Sequence, residues 1–130
     1  MKSTREALVQ LTSDASSLGE GRRFVAQTLR AWQVDESRIE PVLLVASELV
    51  ANAIVHAGSA PTLSLEGSGT DLMLRVADGS EILPVARARA ANEGGGRGLM
   101  LVQALADRWG IDASSSGKTV WVAFEGTFDS

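Results

Sequence analysis

Glu48, Asn52 and His56 stand four residues apart in the stretch Glu48-Leu49-Val50-Ala51-Asn52-Ala53-Ile54-Val55-His56-Ala57-Gly58. On a helix that spacing lines them up on one face. Almost everything else from Val42 to Ala57 is apolar or small. A carboxylate can take up a proton, and a carboxamide offers a neutral oxygen to a hard cation. From Glu48 to His56 the stripe is about 12 Å long at ~1.5 Å per residue, comparable to a nucleotide triphosphate with its metal. The same stripe also reads as a solvated helix face, although it lacks the Lys and Arg that commonly solvate one. His56 weighs least, because a histidine at a helix end commonly caps it or hydrogen-bonds in a core.

Three further groups could do chemistry. Gly94-Gly95-Gly96-Arg97-Gly98-Leu99 leads into a helical pattern. Glycines let a backbone approach a phosphate, and a helix start adds unpaired N–H groups. The pattern is neither a P-loop nor a dinucleotide fingerprint, and a hinge before a helix explains it equally well. Asp78-Gly79 closes an alternating strand. A carboxylate there can accept from an amino group such as that of adenine, or it can simply belong to an Asp-Gly turn. Gly117-Lys118-Thr119 opens the last strand, where Thr119 either meets a ligand or pairs across a hairpin.

The elements that must position these groups follow from periodicity. Residues 5–12 suggest a first strand. Ser17 with Glu20 has the form of a capping box, and Phe24, Val25, Thr28, Leu29 and Trp32 then recur at helical spacing. A second helix is expected from about Pro41 to Ala57, with Gly58 as its stop. A short strand covers 62–66. Leu72, Leu74 and Val76 alternate with Met73, Arg75 and Ala77, as in a half-buried strand. Residues 80–96 show no period and suggest a long functional loop. Gly98 to Trp109 reads as a helix, and 111–114 with 119–124 as a hairpin turning at Ser115-Ser116-Gly117. The tail from Gly126 is expected to fray, and the three tryptophans to lie in the core. The order implies an α+β sandwich, one mostly antiparallel sheet with helices on one face.

The chain has 130 residues, 45% hydrophobic and 22% charged, which suits a single domain over 1–130 with its core at about 5–125. The net charge of −4 argues against general nucleic-acid binding. Without cysteine, disulfides and thiolate metal sites are excluded, which fits a cytoplasmic location. No apolar run reaches the roughly 20 residues of a membrane span, and Met1 to Arg5, with no apolar stretch behind its charges, is not expected to be a secretory signal.

Taken in order, Glu-x-x-x-Asn on a helix, a strand-end Asp-Gly, a long loop and Gly-x-Gly before a helix resemble the Bergerat-type ATP-binding fold of gyrases, heat-shock chaperones, mismatch-repair proteins and histidine kinases. Ser47 to Ala53 with His56-Ala57, Gly95-Gly96-Arg97-Gly98-Leu99 and Gly117-Lys118-Thr119-Val120-Trp121 look like the bacterial anti-sigma-factor serine/threonine kinases. Gly21 to Val25 and Leu29 to Trp32 add to the likeness, which covers about Gly21 to Phe124.

The resemblance implies ATP and Mg²⁺ as cofactors. Asn52 would hold the Mg²⁺, and Glu48 would be the base for the attacking hydroxyl. Asp78 would bind the adenine amine, with Thr119 supporting that end. Gly96 and Gly98 would bind phosphate through their amides, and residues 80–95 would form the lid. Gly79, Gly94, Gly95, Arg97 and Leu99 complete the implied nucleotide-binding set. The implied partners are a sigma factor and an anti-sigma-factor antagonist of the sulfate-transporter-and-antagonist type, phosphorylated on Ser or Thr, with the kinase a homodimer.

The sequence departs from the family at its first glycine box. Asp78 is followed by Gly79, Ser80, Glu81 and Ile82 where Asp-x-Gly-x-Gly is usual. That keeps a second reading open, a partner-switching module that uses nucleotide weakly or not at all. A domain cut from a larger signalling protein is a third. A stand-alone histidine kinase is not expected, since the only histidine is His56.

Overall fold

The computed structural model describes residues 4–57, 60–79, 97–114 and 117–128, the side chains of 56, 57, 97–99 and 114 excepted. In chain order the elements are β1 (Thr4–Gln10), α1 (Ser16–Ala31), α2 (Glu36–Ala57), β2 (Thr62–Ser68), β3 (Asp71–Asp78), α3 (Arg97–Leu105), β4 (Arg108–Ser114) and β5 (Gly117–Phe124). The strands form one five-stranded sheet in the order β1-β2-β3-β5-β4, with every neighbouring pair antiparallel. The helices cover one face, so the expected two-layer α+β sandwich is the architecture found.

The alternation of apolar residues sets which face is covered. Leu63 and Leu65 on β2, Leu72, Leu74 and Val76 on β3, and Val120 and Val122 on β5 turn inward and are buried. Val25 and Leu29 from α1 and Val42, Val45, Leu49, Val50 and Ala53 from α2 meet them in one core. Each fully buried aliphatic side chain contributes about 1.5–3 kcal/mol. The opposite face carries the second set of each strand, including Met73, Arg75 and Ala77.

Helix starts differ from the expected signals. Ser17 does not cap α1; its hydroxyl is buried and donates to the Asp14 carbonyl at 2.8 Å. Asp14 takes the capping role instead, its Oδ1 accepting from the Ser16 amide at 3.0 Å and the Ser16 hydroxyl at 2.5 Å. Glu20 turns back to the Thr12 hydroxyl, 3.2 Å away. α2 begins at Glu36 rather than Pro41, because Asp35 caps it by accepting from the Ser37 amide and hydroxyl. Pro41 therefore sits inside the helix, where its missing N–H removes one early hydrogen bond.

The C-terminal third also differs. α3 stops at Leu105 and Trp109 belongs to β4, where it pairs with Val122 and packs against the core. Asp107 N–H donates to the Ala123 carbonyl at 3.0 Å, so pairing with β5 overrides the helical spacing of this segment. Trp121 is not core: it faces out from the sheet and lies across Gly110, where a Cβ would come within 2.6 Å of its ring.

The tail is anchored through Phe128 rather than frayed from Gly126. Phe128 is 6% exposed and its N–H donates to Thr70 O at 3.0 Å. Its ring covers Gly67, lies 6.2 Å from the Trp32 ring and receives the Arg5 guanidinium at 4.6 Å. Thr127 is buried and accepts from Arg38 at its carbonyl, 3.2 Å.

Candidate functional site

α2 presents the polar stripe at the margin of its packed face. Leu49, Val50 and Ala53 are buried, Leu44 and Val55 are exposed, and Glu48 and Asn52 lie between them, half-buried one helical turn apart. This stripe is therefore neither core nor fully solvated. Arg22 of α1 donates to the Ser47 hydroxyl at 3.0 Å, which places a cation beside the residue that precedes Glu48. His56 lies in the last turn of α2, its side chain outside the described residues.

The strand-end carboxylate is at the same end of the sandwich as the C-terminal half of α2. α2 ends at Ala57 and β2 begins at Thr62, which pairs with Ala77 beside Asp78. Asp78 continues the inward row Leu72, Leu74, Val76, so it faces the helical layer. Its register partner is Lys118. The Lys118 Nζ donates to Asp78 Oδ1 at 2.9 Å, and the two side chains are only 4% and 3% exposed.

Thr119, the next residue, leaves the sheet on the opposite face, opposite Ala77 and Asp112. A cleft of about 290 Å³ at this end of the sheet is lined by Ala77, Asp78, Asp112, Ala113, Lys118 and Thr119, with Gly117 at its edge. Gly117 is required there: its φ is +144°, and a Cβ would stand 2.1 Å from the Asp78 carbonyl oxygen.

Lys118, for which the sequence motifs suggest no role, is the partner of the strand-end carboxylate. The signal was available. Lys118 shares the inward parity of Val120 and Val122, and an inward lysine needs a buried partner. Asp78 has the same parity on a neighbouring alternating strand. Of the remaining expected residues, Gly79 follows β3 and is exposed. Arg97, Gly98 and Leu99 open α3 with their side chains outside the described residues, and Gly94, Gly95, Gly96, Ser80, Glu81 and the lid lie outside them altogether.

The donor set can be tested against Mg²⁺–ATP. Mg²⁺ on a nucleotide takes most of its ligands from phosphates and water, so a single half-exposed carboxamide such as Asn52 fits it. Among the described residues no three His, Cys, Asp or Glu side chains cluster to hold a metal alone. The base end fits less well, because the carboxylate expected to read an adenine amine is already accepting from Lys118.

Residues 11–124 match the family described as "Histidine kinase-like ATPase domain". The chain belongs to this family. Solved structures with the same fold as this histidine kinase-like ATPase domain include the RsbU and RsbW domains of Rv1364c from Mycobacterium tuberculosis, at TM-score 0.74 and 18% identity over 93% of this chain. The match spans 32% of that longer chain. The SiaB–SiaC complex from Pseudomonas aeruginosa matches at TM-score 0.67 and 15% identity, over 91% of this chain and 88% of that one. A search of curated protein sequences returns no significant match. Among the described residues of the domain, no helix is long and apolar enough to cross a membrane.

Proposed function

We propose that this chain is a partner-switching regulator of the anti-sigma-factor type, which binds an antagonist protein and a sigma factor in competition and phosphorylates the antagonist. The observation that carries the reading is the placement of Glu48 and Asn52, kept half-buried at the open margin of α2 within a histidine kinase-like ATPase fold. The fold shared with the RsbW domain and with SiaB, which was solved together with SiaC, supports a protein partner.

In this reading ATP with Mg²⁺ supplies the transferable phosphoryl group. Asn52 would hold the metal through its side-chain oxygen. Glu48 would accept the proton of the partner's Ser or Thr hydroxyl, whose oxygen would take the γ-phosphoryl group as ADP leaves. The α3 N-terminus, with Arg97, Gly98 and Leu99, would serve the phosphates through backbone N–H groups, and Gly94, Gly95 and Gly96 belong to the same proposal. A cytoplasmic homodimer belongs to the same proposal, and light scattering of the purified chain tests the assembly.

The test is incubation with γ-labelled ATP, Mg²⁺ and candidate antagonist proteins. Labelled antagonist is expected, and Glu48→Ala should lower its rate by about a hundredfold or more while leaving the protein complex intact. Labelling unchanged in Glu48→Ala would exclude the proposed base. A second reading, a binding module with vestigial nucleotide use, is favoured by the Asp78–Lys118 ion pair. It is selected if the complex forms on size exclusion but no label is transferred. Absence of any complex would remove both.

A further inference from the structure

We infer that Lys118 is an intramolecular substitute for the base amine: its ammonium already holds Asp78 Oδ1, so the carboxylate no longer selects for adenine. The inference rests on the nucleotide site proposed above and narrows what that site can recognise.

Four observations carry it. First, the hydrogen-bond sense is the same. A carboxylate only accepts; an exocyclic amine and an ammonium both donate. Lys118 Nζ makes that donation at 2.9 Å. Second, the pair is enclosed, with side chains 4% and 3% exposed. A neutral amine that displaced the lysine would leave an ammonium buried without its anion, a large penalty.

Third, the pairing is built into the sheet. Asp78 and Lys118 are register partners on β3 and β5. Gly117 lets the strands approach so closely that any Cβ at 117 would collide with the Asp78 carbonyl oxygen. Lys118, the second residue of β5, therefore lies directly beside the carboxylate. Fourth, no buried side-chain nitrogen or oxygen among the described residues lacks a hydrogen-bond partner. Among the described residues, no buried side-chain group at this end of the sheet is left for a ligand to satisfy.

Discrimination between bases by hydrogen bonding depends on a protein group that goes unpaired with the wrong base. Asp78 Oδ1 is paired in advance with Lys118, so that penalty shrinks. The phosphate and metal end, at Asn52 and the start of α3, is untouched by the substitution. The expected behaviour is a site that reads polyphosphate and Mg²⁺ and is indifferent to the base.

Calorimetric titration of the full chain with Mg²⁺–ATP, Mg²⁺–GTP and Mg²⁺–tripolyphosphate tests this, on wild type, Lys118→Thr, and Lys118→Thr with Asp78→Asn. Wild type is expected to bind ATP and GTP within about threefold of each other, or neither of them detectably. Lys118→Thr is expected to gain about tenfold or more for ATP over wild type, and Asp78→Asn in that background to cancel the gain.

A wild type that prefers ATP by about tenfold, with the preference lost in Asp78→Asn, overturns the inference and needs no Lys118 variant to do so. ATP affinity unchanged in a Lys118→Thr protein that circular dichroism shows to be folded overturns it too. The tripolyphosphate arm separates the two proposals. Asn52-dependent tripolyphosphate binding without the Lys118→Thr gain sinks the inference and keeps the site. No binding of any of the three probes, by any variant, sinks both.

Discussion

A lysine in the inward row of a strand needs an anion within reach, and Lys118 finds Asp78 one strand away. Breaking such a pair from either side strands a buried charge, whereas removing both leaves an apolar gap that can be filled. Lys118→Met alone and Asp78→Leu alone are each expected to cost about 3–5 kcal/mol, and the double variant to return most of the loss. Urea denaturation of the four proteins checks this, and strictly additive losses would count against the pair. The inward row was legible in the sequence, because Leu72, Leu74 and Val76 set the parity that Asp78 continues. For Thr119 the residues alone leave a ligand contact and a cross-hairpin pair open, and the resemblance implies support of the adenine end. Parity puts it on the other face. Only the register between β3 and β5 joins Lys118 to Asp78, and register between distant strands is not a local property of either.

Helix ends carry their own expectations. α1 closes in a Schellman arrangement: Val34 N–H donates to Leu29 O and Gln33 N–H to Arg30 O, each at 2.9 Å. Gln33 holds the left-handed conformation there, with φ +63°, which costs a side chain that glycine would not have. Gln33→Gly is expected to stabilise the fold by about 0.5–1 kcal/mol, read as a higher urea midpoint at unchanged slope.

The helix starts respond to acid. The Ser16 hydroxyl, then Thr12, holds the Asp14 carboxyl below its ordinary value; Ser37 does the same for Asp35, and Arg30 for Glu36. A depressed folded value means the contribution is complete above the unfolded carboxylate pKa of about 4 and fades as pH falls through the folded one. Melting temperature should therefore not change on account of these groups between about pH 5 and 8, and should drop below about pH 4. Asp14→Asn with Asp35→Asn should make that acid drop shallower. Ser17 and Pro41 match helix-start signals locally, but neither caps its helix. The carboxylates of Asp14 and Asp35, each accepting from the amide two residues on, take the role instead.

Across the whole molecule, the last residues close the end of the sandwich remote from the cleft. Phe128 fills the space over Gly67 between Trp32 and Arg5, joining β1, β2 and α1 through one ring. Phe128→Ala is expected to cost about 3–5 kcal/mol, as core aromatic deletions do, and a thermal melt measures it. A frayed tail would show no change.

From its own residues the chain determined the chemistry at hand and the parity of each strand: a carboxylate and a carboxamide on one helix face, and an acid and a lysine each at an inward position. Those are short-range properties, set by the 3.6-residue and 2-residue periods of the backbone. The tertiary structure decided which inward positions meet. It brought β5 between β3 and β4, took Trp109 from a helical pattern into a strand, turned Trp121 outward over Gly110, and closed Lys118 on Asp78. Each depends on hydrogen bonds and packing between residues far apart in the chain, whose energies no local pattern contains.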